Sequence, residues 1–260
     1  MSVMNLKNKT LFLDLDGTLY KGSERIESAY QFVCYLQREK IPFYFLTNNA
    51  MRTHKQNADK LRNMGYMNIE EKQFFTSAMA AASYFAKHSK KKKAYCLGEE
   101  GLREALIEND FELCNQNAEI VFVGLDSYAD YHLYSKVYQM ICRGAEFVGT
   151  NPDRRIPDGD TYQIGNGAII KMLEYASEKK CFMIGKPNKP MFDEMLAYAQ
   201  IKKEDCLIIG DNLETDIVFG KSNDVDTVFV TTGVHKREKQ DELQIYATYC
   251  VDSLMELVKT

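Results

Sequence analysis

The sequence lacks the features that mark membrane, secreted or nucleic-acid-binding proteins. No apolar stretch approaches the ~20 residues that span a bilayer, and residues 1–10 are polar, without the apolar centre of a signal peptide. The seven cysteines are odd in number and include no Cys-x-x-Cys pair, which argues against a zinc site or a disulfide framework. With 33 basic and 37 acidic residues, the net charge of −4 gives no electrostatic footprint for nucleic acid. These absences predict a soluble, cytoplasmic protein with reduced thiols, and no membrane or nucleic-acid polymer as partner.

The sequence does contain enough apolar residues for a sizeable core and a repeating order of elements. Its 260 residues are 45% hydrophobic, which suits one large domain or two small ones. Short apolar runs alternate with amphipathic stretches, a pattern typical of strand–helix–strand units on a parallel sheet. The predicted strands are 11–15, 43–46, 94–97, 120–125, 181–184, 207–209 and 227–230. The predicted helices are 27–38, 53–64 and 189–199.

The strongest chemical signal is a pair of carboxylates at the end of the first predicted strand. The apolar run closes on Asp14 and Asp16, and Gly17 and Thr18 follow at once. Acidic side chains at the end of a buried strand are costly unless they hold a cation or do chemistry. Open parallel sheets bind ligands outside the carboxyl ends of their strands. A helix cap or an Asp-Gly turn is the alternative.

Polar groups also follow three other predicted strands. Thr47 and Asn48 could bind phosphate oxygens, or else Asn48 or Asn49 could cap the next helix. Lys186 could neutralise an anion or be a solvated surface charge. Asp211, with Asp216 five residues later, fits a magnesium ligand or a strand-to-helix turn. Taken together the groups complement one another as a nucleophile, a phosphate-binding pair, a cation and a metal anchor.

In order and spacing, these motifs resemble those of the haloacid dehalogenase superfamily of phosphohydrolases. Within it, the chain is similar to the NagD-like and 4-nitrophenylphosphatase-like proteins of subclass IIA, over nearly its whole length. The matching core motifs are 14–18, 46–49, 185–187 and 210–216, and the matching cap motifs are 123–126, 150–153 and 165–168. The resemblance implies an α/β fold with a Rossmann-like parallel-sheet core (1–78 and 181–260) and a large inserted α/β cap of the C2 type (79–180).

The resemblance further implies a phosphatase that hydrolyses small phosphate monoesters through a phospho-aspartyl intermediate. Nucleotide, sugar and aryl phosphates are all open as substrates. Asp14 would be the nucleophile, and Asp16 would be the general acid and then the base. Mg²⁺ would bind Asp14, the backbone carbonyl of Asp16, and Asp211. Lys186 would neutralise the charge shared by Asp14 and the transferring group.

The resemblance implies two supporting roles in the same site. Thr47 and Asn48 would hydrogen-bond the phosphoryl oxygens, and Lys186 would also contact the substrate. Asp216 would orient Lys186 or a metal-bound water without binding the metal itself. Substrate choice would depend on the cap, and a homo-oligomer formed through the cap stays open.

The predicted cap carries three less specific signals. Arg154 and Arg155 could meet an anionic or aromatic leaving group or be ordinary surface arginines. Gly165 and Gly167 favour a tight turn over an anion cradle. Four tyrosines at near-helical spacing predict packing within the cap or between subunits; they are Tyr128, Tyr131, Tyr134 and Tyr138.

Two other functions compete with hydrolysis. A phosphomutase or phosphotransferase would use Asp14 and Asp16 but return the phosphoryl group to an acceptor. Relatives of that type generally carry a small helical cap between the first and second motifs, whereas here the insertion comes later. A phosphate-accepting signalling module would also use an aspartate, a threonine and a lysine, but such modules are about half this length and have no inserted domain.

Overall fold

The computed structural model describes residues 6–158 and 161–258, which form two compact units. The first unit consists of the described parts of 1–47, 57–75 and 195–260, and the second of 48–56 and 76–194. The division into a core of 1–78 and 181–260 and a cap of 79–180 stays a prediction. None of the helices in the described residues has the length and apolar character that a membrane span requires.

Helices and strands alternate along the described chain, as the sequence predicts. The α-helices are α1 (Glu27–Arg38), α2 (His54–Asn63), α3 (Ser77–His88), α4 (Glu100–Glu108), α5 (Tyr131–Cys142), α6 (Asn166–Ser177), α7 (Lys189–Ala199), α8 (Val218–Lys221) and α9 (Lys239–Leu243). The strands are β1 (Thr10–Leu13), β2 (Tyr20–Lys21), β3 (Glu24–Arg25), β4 (Phe43–Thr47), β5 (Phe74–Thr76), β6 (Lys93–Leu97), β7 (Glu112–Leu113), β8 (Ile120–Val123), β9 (Glu146–Gly149), β10 (Arg155–Asp158), β11 (Thr161–Ile164), β12 (Phe182–Met183), β13 (Cys206–Gly210), β14 (Asp226–Val230) and β15 (Tyr249–Val251).

The first unit is built on a six-stranded sheet with the strand order β15-β14-β13-β1-β4-β5. Strand β1 pairs in parallel with β13 on one side and β4 on the other, with Leu13 opposite Ile209 and Phe45. Strands β1 and β13 are buried along their whole length, as central parallel strands covered on both faces should be. The carboxyl ends of β4, β1 and β13 are therefore neighbours at one edge of the sheet.

Helix α1 packs its apolar face into the core of the first unit. The 3.6-residue spacing predicts that Ala29, Phe32, Val33 and Leu36 face inward, and all four are buried. Burial of a side chain as large as Phe32 stabilises the fold by about 1.5–3 kcal/mol. The predicted bounds and the predicted buried face of this helix are both confirmed.

The second unit has its own parallel sheet, in the order β12-β9-β8-β6-β7, and an antiparallel pair of strands, β10 and β11. Among the predicted tyrosine stripe, Tyr134 packs against the core beneath α5. Tyr128 and Tyr131 are 86% and 81% exposed, so the prediction that they pack within the cap is wrong. Their packing between subunits stays a prediction.

The α/β class and the parallel sheet are confirmed, but the sequence missed several short strands. β5 has three residues and β15 has three, too few to show a period in the sequence. The first strand ends at Leu13, earlier than predicted, because the chain turns immediately afterwards. In that turn the carbonyl of Leu15 accepts hydrogen bonds from the amides of Thr18 and Leu19 at 3.2 and 2.8 Å.

Candidate active site

Three carboxylates meet at the carboxyl edge of the sheet in the first unit. One carboxylate oxygen from each of Asp14, Asp211 and Asp216 lies within 4.8 Å of the other two. Asp211 and Asp216 are each only 1% exposed, whereas Asp14 is partly exposed. Like charges this close disfavour one another, and burial adds a desolvation cost. An oxygen-only donor set of this kind can hold a hard divalent cation, which offsets both costs.

The parallel pairing of β1 with β13 determines the positions of the Asp14 and Asp211 carboxylates. The amide of Asp14 donates to the carbonyl of Ile209 at 2.8 Å, which continues the β1–β13 ladder one residue past β1. Asp211 directly follows β13. Because parallel strands bring their carboxyl ends to one edge, two residues nearly two hundred positions apart become neighbours.

Asp211 is fixed by two donors and enclosed by two glycines. Its Oδ1 accepts from the Thr18 hydroxyl at 3.2 Å, and its Oδ2 accepts from the Val234 amide at 2.5 Å. A Cβ on Gly17, whose φ is +87°, or on Gly233 would overlap the Asp211 carboxylate. Residues 233 and 234 carry no signal in the sequence that predicts this contact, although they follow β14 at the same edge.

Asp216 belongs to a π-helical turn, Leu213–Ile217, that follows β13. The Asn212 side chain caps this turn by accepting from the Glu214 amide at 3.0 Å, and Asp216 Oδ2 accepts from the Asn212 amide at 3.2 Å. A Cβ on Gly210 would overlap the Asp216 carboxylate. Asp216 thus offers an oxygen to the carboxylate cluster, whereas the sequence predicts only an orienting role for it.

Asp16 is more exposed and has different partners. Its side chain is 46% exposed, and Oδ2 accepts from the Tyr20 hydroxyl at 3.1 Å. The Lys60 ammonium lies 4.0 Å from Oδ1 and 3.7 Å from the centre of the Tyr20 ring. Tyr20 and Lys60 therefore orient the Asp16 carboxylate, and neither residue was among the predicted site residues.

The remaining predicted site residues divide between the two units. Thr47 is the buried last residue of β4 in the first unit. Asn48 and Lys186 lie in the second unit, where the Lys186 amide donates to Asn48 Oδ1 at 2.8 Å. Asn48 Nδ2 donates to the Lys186 carbonyl and to Asp153 Oδ2, both at 3.0 Å. The structure therefore brings Asn48 and Lys186 together, and adds Asp153.

The arginines of the predicted cap lie at the surface of the second unit. Arg154 and Arg155 are both exposed, and the Arg155 guanidinium lies 4.1 Å from the centre of the Tyr162 ring. This stacking explains the position of Arg155 without a ligand. A role for either arginine in substrate choice stays a prediction.

The cysteines are free thiols and do not favour a thiolate nucleophile. Burial raises the pKa of the Cys96 thiol to about 12 and raises the pKa values of Cys181 and Cys206 further above their usual range. Desolvation is also the largest cause of the raised pKa values of Cys114 and Cys250. Reactive cysteines instead have lowered pKa values.

A second group of possible metal ligands lies in the second unit. His54, Glu104 and Glu108 each offer an atom within 4.8 Å of the other two, and Glu108 is exposed. The two glutamates are one helical turn apart on α4. A substitution in this group can therefore serve as a control for substitutions in the carboxylate cluster of the first unit.

Comparison with known proteins identifies the family. A family described as haloacid dehalogenase-like hydrolase matches residues 11–112, and a HAD-hydrolase-like family matches 183–257. The 5'-nucleotidase YutF of Bacillus subtilis is 37% identical over 250 residues, covering 96% of this chain and 97% of its own. The acid sugar phosphatase of Staphylococcus saprophyticus is 34% identical over 256 residues, covering 98% of each chain. The chain belongs to the haloacid dehalogenase-like hydrolases.

The solved structure of NagD from E. coli K-12 extends this result to the subclass. It superposes with a TM-score of 0.88 at 28% identity, covering 97% of this chain and 98% of NagD. The predicted NagD-like resemblance and the predicted α/β fold, with a parallel-sheet core and additional cap elements, are confirmed. This haloacid dehalogenase-like hydrolase is a phosphatase, a phosphoric monoester hydrolase.

Proposed function

We propose that this phosphatase is magnesium-dependent and hydrolyses small phosphate monoesters through a phospho-aspartyl intermediate on Asp14. The cluster of Asp14, Asp211 and Asp216 carries this proposal. Two of its members are buried, as residues that anchor a cation are, while Asp14 has access to solvent and thus to a substrate. A nucleophile must be accessible to the substrate, whereas residues that only hold a metal ion need not be.

The donor set of the cluster favours magnesium over a softer metal. Asp14, Asp211 and the backbone carbonyl of Asp16 would hold the ion with oxygen atoms alone, and the described cluster of possible ligands consists of three aspartates. When bound, Mg²⁺ neutralises the negative charge of the nucleophile and of the phosphoryl group. Asp216 supplies further negative charge beside Asp211 and orients the polar groups around the ion.

In the proposed reaction Asp14 is the nucleophile and Asp16 transfers the protons. An Asp14 carboxylate oxygen attacks phosphorus, and the bond from phosphorus to the ester oxygen breaks. The leaving oxygen takes a proton from the Asp16 carboxyl group. Water then attacks the phosphorus of phospho-Asp14 and gives a proton to Asp16, while the bond from phosphorus to the Asp14 oxygen breaks. This step releases inorganic phosphate and restores the Asp14 carboxylate and the protonated Asp16 carboxyl group. The Thr47 hydroxyl donates to the phosphoryl oxygens, and Lys186 supplies positive charge.

The substrate class is small phosphate monoesters, which the names of the two relatives support. With Mg²⁺, we expect sustained release of inorganic phosphate, over many turnovers, from members of a panel of nucleoside monophosphates, sugar phosphates and 4-nitrophenyl phosphate. Colorimetric phosphate assay measures it. A single stoichiometric release would instead indicate a signalling module. Transfer to a second hydroxyl without net phosphate release would indicate a phosphomutase.

Replacement of the proton donor should depend on the leaving group. In Asp16→Asn, we expect kcat/KM to fall ~100- to 1,000-fold for an alkyl phosphate, because an alkoxide leaves poorly without a proton. For 4-nitrophenyl phosphate the fall should be ~10-fold or less, since 4-nitrophenolate needs little protonation. The parameter kcat/KM reports leaving-group departure and excludes the later hydrolysis step, which both substrates share.

A second variant tests the same role by removing a single hydrogen bond to Asp16. Tyr20→Phe removes the hydroxyl that donates to Asp16 Oδ2 and should show a smaller loss in the same direction. Equal losses of kcat/KM on the two substrates in Asp16→Asn would contradict the proton-donor role.

A further inference from the structure

The backbone of Lys186 is held by a side chain from a distant segment of the second unit. We infer that Asn48 is a positioning residue that fixes Lys186, and that Asp153 in turn fixes Asn48. This inference rests on the proposed function, because it assumes that Lys186 serves the reaction. It replaces the expectation that the Asn48 side chain binds the phosphoryl oxygens.

The carboxamide of Asn48 matches both backbone groups of Lys186. Asn48 Oδ1 accepts from the Lys186 amide at 2.8 Å, and Nδ2 donates to the Lys186 carbonyl at 3.0 Å. This pair fixes the orientation of the amide, because a rotated carboxamide would set donor against donor and acceptor against acceptor. The backbone on which the lysine side chain is mounted is thereby held from two sides.

Asp153 uses the second hydrogen of Asn48 Nδ2. Its Oδ2 accepts from that nitrogen at 3.0 Å, so both Nδ2 hydrogens have protein acceptors. A phosphoryl oxygen could bind there only by displacing the Lys186 carbonyl or the Asp153 carboxylate. The partly exposed Asn48 side chain is therefore engaged in holding Lys186.

Asp153 is itself held by a chain of polar side chains that extends to α6. Its Oδ2 also accepts from Asn151 Nδ2 at 2.5 Å, and the Thr150 hydroxyl donates to Asn151 Oδ1 at 2.9 Å. Asn166, fully buried at the start of α6, donates from Nδ2 to Thr150 Oγ1 at 3.1 Å. These hydrogen bonds favour one arrangement of the backbone, although Asn166 Oδ1 is buried without a hydrogen-bond partner among the described residues.

Glycines let the three backbone segments of this network come close. The Gly185 amide donates to the Thr150 carbonyl at 2.8 Å, and a Cβ on Gly185 would overlap that carbonyl and lie 2.8 Å from Asn48 Oδ1. The Gly167 amide donates to the Asp153 carbonyl at 2.8 Å, and a Cβ on Gly167 would overlap the same loop. Motifs 150–153 and 165–168, which belong to the predicted cap, thus act together to hold the Lys186 turn.

Single substitutions test the direction of each hydrogen bond. Asn48→Ala should lower kcat ~10- to 100-fold with little change in KM, because a small displacement of a reacting group is costly. Asn48→Asp should lose at least as much, since it sets a carboxylate against Asp153. Asp153→Ala should lower kcat ~10-fold, whereas Asp153→Asn should stay within ~3-fold of wild type because its Oδ1 can still accept from Asn48.

Phosphate affinity separates positioning from direct binding. The inhibition constant of inorganic phosphate should change less than ~3-fold in Asn48→Ala if the side chain does not contact the phosphoryl group. A large rise in that constant, or equal losses in Asp153→Asn and Asp153→Ala, would overturn the inference. Thermal unfolding of each variant establishes that it is folded, and Gln139→Ala, which removes an exposed amide from α5, is the matched control.

A double-mutant cycle with Lys186 completes the test. If Asn48 acts through Lys186, Asn48→Ala should cause no further loss of kcat in a Lys186→Ala background. Losses that multiply in the double variant would overturn the inference. Full activity of Lys186→Ala alone would instead overturn the assignment of Lys186 in the proposed function, so the two failures are distinguishable.

Discussion

Asp14→Asn should reduce kcat for 4-nitrophenyl phosphate by more than ~1,000-fold. The carboxamide is nearly the same size as the carboxylate, so the edge of the sheet should keep its shape. Its neutral oxygen is a poor nucleophile, however, and cannot form the acyl phosphate. Steady-state phosphate release measures the loss. The amide of Asp14 keeps its bond to the Ile209 carbonyl, because that bond uses only the backbone.

The covalent step itself is measurable in the same pair of proteins. Rapid acid quench followed by intact-protein mass spectrometry should show wild-type enzyme carrying one phosphoryl group, and Asp14→Asn carrying none. Asp226→Asn, an exposed aspartate at the start of β14 in the same unit, is the matched control and should behave as wild type. If Asp14→Asn kept more than a tenth of the activity, the nucleophile would have to be another group.

Removal of the metal should have a comparably large effect. We expect a chelator to abolish phosphate release and added Mg²⁺ to restore it, since attack of a carboxylate on a phosphate needs charge neutralisation. Asp211→Asn should lower activity more than ~100-fold at a fixed Mg²⁺ concentration. The side-chain amide that this substitution introduces removes one charge from the cluster. Its NH₂ group can also face the backbone N–H of Val234, which needs an acceptor.

Thermal unfolding gives a readout of metal binding that does not depend on turnover. A metal present at 100 times its dissociation constant stabilises the folded state by about 2.7 kcal/mol. Mg²⁺ should therefore raise the unfolding temperature of wild type but not of Asp211→Asn. Glu108→Gln alters the other possible metal group, with His54 and Glu104, and should keep the Mg²⁺ response. The reverse pattern would place the ion in the second unit.

Local sequence patterns were sufficient to predict the helices and strands that have a clear hydrophobic pattern. Helix α1 has the predicted bounds and the predicted buried face. Strands β4 and β13 lie within a residue of prediction because their apolar runs are continuous and bounded by polar residues. Strand β12 lies within the predicted strand 181–184, although it has only two residues. Strand β15 was not predicted, because a segment of three residues is set by its neighbours in the sheet and not by its own sequence.

The residues of the candidate site also differ in whether the sequence alone could identify them. Asp14 and Asp211 could be identified from their positions after apolar runs, and Asp216 from its place five residues after Asp211. Tyr20 and Lys60 carry no comparable signal, since a buried tyrosine and a helical lysine are ordinary features. Only the folded chain shows that they contact Asp16.

The sequence alone determined the family, the parallel α/β architecture and the residue types available for phosphate chemistry, because each depends on local order and spacing. Tertiary structure decided which of these groups meet. The register of β1 against β13 brings Asp14 to Asp211, and the loop at 150–153 brings Asp153 to Asn48. Such contacts join residues about one hundred to two hundred positions apart, and their distances are set by strand pairing and backbone hydrogen bonds that no local pattern encodes.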